Sequence, residues 1–402
     1  MPRRRRLVAL LWGLMASLLV ALAYHKGLLT SLEFKVYDFH IRHRSPLPTH
    51  PDLALILIDD RSMESLGRWP WSGKIHARMV DFLANTCNAR AIVFDILFPE
   101  PNLADPAADD AFVRSVREAG NVFLAMHFSE SLTTLMDTKY LGPVQYTEEK
   151  QLQGISYPGA SPPFLGLLAA AQGVGPVNIR PEKDGVRRSI PLVLKYKGQP
   201  YLTLSGQVAN LISNPDETLP EVRPGESLQL GATRIPVDDA GEILINFARS
   251  KRVKTPPPQT EERTDSSDAV GHITFPGPTY LYHEVLSPDF QPAALQGRIA
   301  LIGFTATGLT DLHPIPLQIG TPGVDINAQA LNGILQGLFL RKAPHAMSIA
   351  LIFFFGLVAA FLLTLMRPLP SLAGAAALVG LVLGLSLYLF RVHGRWAATA
   401  AP

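Results

Sequence analysis

The chain has 402 residues, with 36 Lys and Arg against 34 Asp and Glu, a formal net charge of +2. The length points to one large domain plus membrane segments, and the balanced charge excludes a global electrostatic drive toward nucleic acid. Cys87 is the single cysteine, which excludes an internal disulfide and a cysteine-based zinc site and leaves a small buried hydrophobe.

Arg3, Arg4, Arg5 and Arg6 precede an uncharged apolar segment over residues 7–24. That is just long enough to cross a bilayer, for which about 18 residues is the practical minimum. Positive charge stays on the cytoplasmic side, so residues 1–6 read as cytoplasmic. No small-x-small cleavage site follows, which favours a retained anchor over a signal peptide. Residues 346–366 and 372–390 are two more uncharged apolar stretches separated by a short turn at Arg367, and they read as a transmembrane hairpin. Counting crossings places residues 25–345 outside the cytoplasm. It also leaves Arg391 and Arg395 outside, against the positive-inside bias. The short tail at 391–402 ends in residues 397–402, which read as a further apolar segment cut short, so a truncated chain is expected.

Between the membrane segments, residues 31–44 carry a partial helical stripe and read as an outward continuation of the first anchor, stopped by Pro46, Pro48 and Pro51. The unbroken apolar run at 53–58 suits a strand buried on both faces and ends in Asp59 and Asp60. Ser72 is a plausible N-cap for a helix carrying Ile75, Met79, Phe82 and Leu83. Residues 91–98 form a second apolar strand enclosing Asp95; a helix over 110–119 and a strand over 122–126 follow. This alternation predicts an α/β (mixed α+β) domain. Residues 162–171 and 203–211 read as helices. Asp184-Gly185 reads as a turn, Gly198 as the closure of a hairpin, and 241–247 as a strand. Residues 251–268 are polar and proline-rich and read as a mobile loop. Residues 297–303 form the last strong strand. The helix expected over 324–340 places Ile326, Ala330, Ile334 and Leu338 on one buried face.

Asp59, Asp60 and Asp95 lie at the carboxyl ends of apolar strands, where open α/β sheets bind ligands, and Asp311 follows another. As a group they suggest a shared pocket for a cation or polar ligand; singly, each could cap a helix or satisfy loop amides. Thr305 belongs to the same edge. Trp69 and Trp71 could stack on a ligand, although a rigid turn over the core is the blander account. Arg187 and Arg188 read as a solvated hairpin face, and His76 as surface or hydrogen-bonded core. Residues 303–308 resemble a phosphate loop only superficially, because Leu309 stands where its Lys belongs; they could still place amides at a helix start. No HExxH or GxSxG motif is present, so neither a catalytic set, a metal site nor a cofactor is expected.

The order of these features resembles the second type of CHASE domain, an extracytoplasmic sensory module of bacterial receptors. The resemblance covers roughly residues 33–340. It rests on Asp59-Asp60-Arg61-Ser62, Trp69-Pro70-Trp71, residues 91–98, Asp184 to Arg188 and Ile245-Asn246-Phe247. Its most specific parts are residues 297–303 with Thr305, Asp311 and Pro316, and residues 322–328. It implies a multi-pass protein of the bacterial inner membrane, acting as a homodimer. It also implies sensing of an extracytoplasmic small molecule, ion or protein, and control of a cytoplasmic cyclase, diguanylate cyclase or histidine kinase. The sequence departs from that pattern in having two C-terminal membrane segments where three are usual, and in lacking an output domain. A stand-alone envelope binding or scaffold protein is the alternative; an extracytoplasmic hydrolase using the acids ranks below it.

Overall fold

The run Leu53–Ile58 holds six apolar side chains and no polar one, and such a strand is stable only where both faces are covered. The computed structural model, which describes residues 3–132, 136–147, 150–248, 273–365 and 368–396, places it inside a seven-stranded sheet. The strands are β1 (Leu53–Ile58), β2 (Ala91–Asp95), β3 (Val122–Ser129), β4 (Gly159–Ser161), β5 (Gly173–Pro176), β6 (Thr279–Leu281) and β7 (Ile299–Phe304). They run in the order β6-β1-β7-β2-β3, with parallel β5 and antiparallel β4 both paired to β3. Register aligns Ile58 with Phe304 and Gly303 with Asp95, so three strands end along one edge.

Among the described residues, seven α-helices belong to the same unit: α1 (Asp60–Leu66), α2 (Gly73–Asp81), α3 (Pro106–Ala119), α4 (Leu165–Ala170), α5 (Leu204–Ser213), α6 (Tyr282–Val285) and α7 (Gly323–Leu335). Because side chains alternate along a strand, the sheet has two apolar faces. Ile56, Phe94, Leu124 and Ile302 face α2 and α3 through Val80, Phe112 and Val116. Leu55, Val93, Phe123 and Leu301 face α5 and α7 through Val208, Val324 and Leu331. Cys87 is buried in the first of these cores. Several expected elements appear close to their predicted bounds. Ser72 caps α2, Asp105 caps α3 and Gly120 ends α3 in the left-handed conformation. The hairpin Val193–Tyr196 to Gln199–Leu202 turns through Lys197 and Gly198, both at positive φ. A four-stranded sheet at 145–146, 221–223, 227–230 and 233–235 has short, weakly patterned strands that periodicity does not reveal.

Contacts divide the chain into two compact units, residues 46–339, just described, and residues 1–45 with 340–402. In the second unit, the helices Arg3–His25 and His345–Leu365 approach closely: Gly13 meets Ala360, and Gly356 meets Ser17. Small residues at helix contacts permit that approach. Many large apolar side chains there stay exposed, among them Leu11, Trp12, Leu18, Phe354 and Leu381. Among the described residues, His345–Leu362 and Ala373–Val392 are long and apolar enough to cross a membrane. Leu10–His25 with Thr30–His43 adds a third only if that pair, bent by 82°, is one span.

Four expectations need correction or placement. The first anchor does not continue outward as one helix. Gly27, at φ +71, closes it with Leu28 N–H bonded to the Ala23 carbonyl and Gly27 N–H to that of Tyr24, a Schellman termination. α7 stops at Leu335, and Gly337 adopts φ +64 just beyond. Nor does α7 bury only one face: residues 324–334 are all buried, polar ones included. Arg188 is 1 % exposed rather than solvated, paired with Glu182 at 2.6 Å and Asp184 at 2.8 Å. The loop expected at 251–268 lies outside the described residues.

Candidate functional site

β2 is followed by α3 on one face of the sheet, whereas its neighbour β7 is followed by α7 on the other. Where neighbouring connections depart to opposite faces, a crevice opens at the carboxyl edge, the usual ligand position in such sheets. A cleft of about 390 Å³ occupies that place. Asp95, Ile96 and Leu97 line it from the end of β2, His127 from β3, Phe304 from β7, and Gly323, Val324 and Asn327 from α7. Val177, Asn178, Ile179, Leu309, Thr310 and Asp311 complete it from loops, and His313 from the short strand Leu312–His313. The volume falls at the lower end of the range for small-molecule sites, ~300–1,000 Å³.

Asp95 is odd-numbered in β2 and therefore points toward the α7 face. Its Oδ2 accepts a hydrogen bond from Asn327 Nδ2 at 3.0 Å, while Asn327 Oδ1 accepts one from Ser205 Oγ at 2.7 Å. β2, α7 and α5 are thus joined through one buried chain. Among the described residues, the second oxygen of Asp95 has no partner. Burial pushes the Asp95 carboxyl up to about 6, against the opposing pull of the Asn327 bond. Asp311 is 88 % exposed and lies 3.4 Å from His313 Nε2. Burial, reinforced by the charge of Arg187, lowers the His313 imidazole below its ordinary range, and Asp311 works the other way. The Thr310 hydroxyl and Arg187 Nε are buried without partners.

The other expected site residues go elsewhere. Asp59 caps α1, accepting from Ser62 N at 2.8 Å and Ser62 Oγ at 2.6 Å. Asp60 accepts from Thr307 N and Oγ1, both at 2.9 Å. Neither lines the cleft, so the edge acids divide: Asp95 and Asp311 share it, whereas Asp59 caps α1 and Asp60 ties the loop at Thr307. The amides of Thr305 and Ala306 both bond the Ile58 carbonyl, so the phosphate-loop-like segment presents no free helix start. Thr305 Oγ1 is itself buried without a partner. Trp71 is buried, its Nε1 bonded to the Gly67 carbonyl at 2.6 Å. Trp69 packs edge-on against Phe304 and His76. Both rings belong to an aromatic cluster, with His76 at its centre. Burial pushes His76 down to about 3, which keeps it neutral, and its Nδ1 sits 3.1 Å from the Tyr282 hydroxyl. Among the described residues no group of three His, Cys, Asp or Glu side chains could hold a metal.

Sequence reasoning missed the polar residues of α7. Asp325 accepts from Thr274 N, Thr274 Oγ1 and Phe275 N at 2.7, 2.8 and 2.9 Å. Gln329 bonds both backbone groups of Ala248. Near the other end, Asn332 Oδ1 accepts from His50 N at 2.8 Å, Gln336 donates to the Pro48 carbonyl at 2.9 Å, and Asn246 donates to that of Leu338 at 2.8 Å. The available signal was four polar residues spread around an otherwise apolar helix, inconsistent with a single solvated stripe.

A family model described as the CHASE2 domain matches residues 15–363. No curated protein and no solved structure matches the chain.

Proposed function

Since this chain belongs to the CHASE2 domain family, a family of extracytoplasmic sensory domains, we propose that residues 46–339 are the input unit of a bacterial transmembrane receptor. A small molecule enters the cleft at the carboxyl edge of the sheet, and its occupancy controls a cytoplasmic cyclase, diguanylate cyclase or histidine kinase. In this reading the basic N-terminus is cytoplasmic and the apolar helices of the other unit hold the protein in the inner membrane as a homodimer. The exposed apolar side chains of those helices support the membrane assignment.

One observation carries the proposal. α7 is a helix of 13 residues, about 20 Å long, whose first turn lines the cleft. Its other end, with the turn that follows, holds residues 48–50 near the start of this unit, and residue 338 near the unit's end is held by Asn246 close by. A ligand acts only through its different affinity for two states of the domain. A shift of α7 against the sheet is a change that the cleft would feel at one end and both chain connections at the other.

The test fills the cleft without a ligand. Leu309→Trp, at a lining residue that is partly exposed, mimics occupancy in the full-length protein in lipid nanodiscs. Hydrogen exchange at residues 46–50 and 336–339 should change severalfold relative to wild type. Exchange that changes around 309–313 and 323–327 but not at those two segments would show that α7 transmits nothing.

A further inference from the structure

The helix Thr30–His43 follows the first apolar helix after a bend of 82°. With Arg3–His25 packed along His345–Leu365 as a membrane helix, a bend of that size lays Thr30–His43 nearly in the plane of the bilayer. Its level is set by the helix Pro368–His393. His40 Nε2 lies 2.8 Å from Ser386 Oγ, and the Tyr37 ring packs on Phe390 and Trp396 at 5.8 and 4.8 Å. Ser386 is six residues before Val392, where the apolar span Ala373–Val392 ends, or about 9 Å at the helical rise. Interfacial helices sit ~5–10 Å deep, at the boundary of headgroups and acyl chains. The other segment ends gather at the same end of this unit: the Tyr24 and His345 rings lie 5.7 Å apart, and Arg341–Lys342 pairs with Arg395–Trp396.

Glu33, Tyr37, His40 and Ile41 form the buried face of Thr30–His43. Leu32, Val36 and Phe39, at i, i+4 and i+7, form a second stripe beside it. Leu32 is 48 % and Phe39 52 % exposed, and Leu28, just before the helix, is 75 % exposed. Lys35 and Arg42, both exposed, flank that stripe on its other side. An apolar stripe bordered by basic residues suits a helix lying on a membrane surface. Charge is an independent observation. Residues 26–44, 341–342 and 391–395 hold eight Lys and Arg, against only Glu33, which is buried, and Asp38. With the N-terminus cytoplasmic, this end meets the outer leaflet, where the positive-inside bias disfavours such a cluster.

We infer that Thr30–His43 is an interfacial helix seated on anionic phospholipid of the outer leaflet. Leu28, Leu32 and Phe39 reach the acyl boundary, and Lys26, Lys35 and Arg341 lie among the headgroups. The inference rests on the membrane reading of this unit and adds a lipid preference to it. Zwitterionic lipid would cover the apolar stripe and leave the excess positive charge without a counter-charge; anionic lipid meets both. The helix ends three residues before the other unit begins at residue 46, so the lipid it meets bears on one of that unit's two chain connections.

The test places a fluorophore on Leu32→Cys or Phe39→Cys in the full-length protein in nanodiscs. Cys87 is buried and stays in place; the protein without an added cysteine gives the background. Quenching is compared between phosphatidylglycerol and phosphatidylcholine, each carrying a nitroxide on its acyl chain, at equal mole fraction and low salt. Both labels should be quenched, and at least about twofold more by phosphatidylglycerol, because a single Lys or Arg near the surface favours anionic lipid by about fivefold. Replacing Lys26, Lys35 and Arg341 together by Gln should at least halve that difference. The arginines at the chain start do not contribute, since the two headgroup regions lie ~40 Å apart. A label on Leu381→Cys, an exposed position within Ala373–Val392, tests the span itself. Quenching at 381 without quenching at 32 and 39 would overturn the inference, leave the membrane reading intact, and assign this face to a second copy or another protein. Equal quenching by the two lipids would overturn it too. So would a difference abolished by millimolar inorganic phosphate at constant ionic strength, which would mark a site for free anions. No quenching at any of the three positions would refute the membrane reading and the inference with it.

Discussion

Asp325→Asn tests how the polar residues of α7 are held. The wild-type carboxyl is fully buried and accepts three hydrogen bonds from residues 274 and 275. Burial nevertheless pushes it up to about 6 from an ordinary 3.8, the bonds offsetting only part of the desolvation. For an acid whose folded value is raised, the unfolded chain releases its proton first as pH rises. The stability associated with the neutral form is therefore complete below about pH 4 and lost as pH rises through 6. That loss amounts to about 3 kcal/mol. An amide does not titrate, but its NH₂ would face one of the three donors, at a cost of ~1–3 kcal/mol at every pH. The variant should therefore be less stable than wild type at pH 4 and equal or more stable at pH 7.5. For a domain of this size, 1 kcal/mol corresponds to roughly 2 °C, so the difference in Tm between the two proteins should swing by about 6 °C. Tryptophan emission during heating of the detergent-solubilised protein measures it. The other titrating groups, Asp95 included, are common to both proteins and cancel. A Tm difference that stays constant from pH 4 to 7.5 would refute the reasoning and show that the three bonds fully compensate burial.

Two further outcomes follow from close packing and from a buried charge. A Cβ at Gly303 would come within 2.6 Å of Val324 Cβ, so Gly303→Ala should force α7 away from β7 and cost ~1–3 kcal/mol, seen as a lower urea midpoint with an unchanged m value. Arg188→Ala removes the partner of Glu182 and Asp184; because both acids keep some exposure, the loss should sit near the low end of the range for broken buried pairs, ~3 kcal/mol, and raising the salt concentration should not restore it.

The parallel sheet was legible because its strands are covered on both faces, which forces continuous apolar runs such as 53–58 and 299–303. The Ser72 cap was legible because it is local: its hydroxyl bonds an amide two residues away. The site was only partly legible. Asp95 was found because a lone acid at the end of an apolar strand is conspicuous. Asp59 and Asp60 look the same in sequence, yet Ser62 and Thr307 consume them, and Thr307 lies 247 residues from Asp60. His127, Asn178, Thr310 and His313 carry no local signal at all. Each reaches the cleft through a loop or a strand end whose position depends on distant pairing.

By itself the sequence determined the segregation of apolar helices toward the chain ends, the α/β character of the middle, and the family resemblance. All of these follow from composition and short-range periodicity, which act within one or two turns of chain. Only the tertiary structure decided which acids share a cleft and that α7 is buried on every side. It also decided that one helix joins the cleft to segments at both ends of the domain. Those facts depend on the order of the strands, in which β7, more than two hundred residues after β2, inserts between β1 and β2. That insertion sends α7 to the opposite face from α3 and opens the crevice beside Asp95.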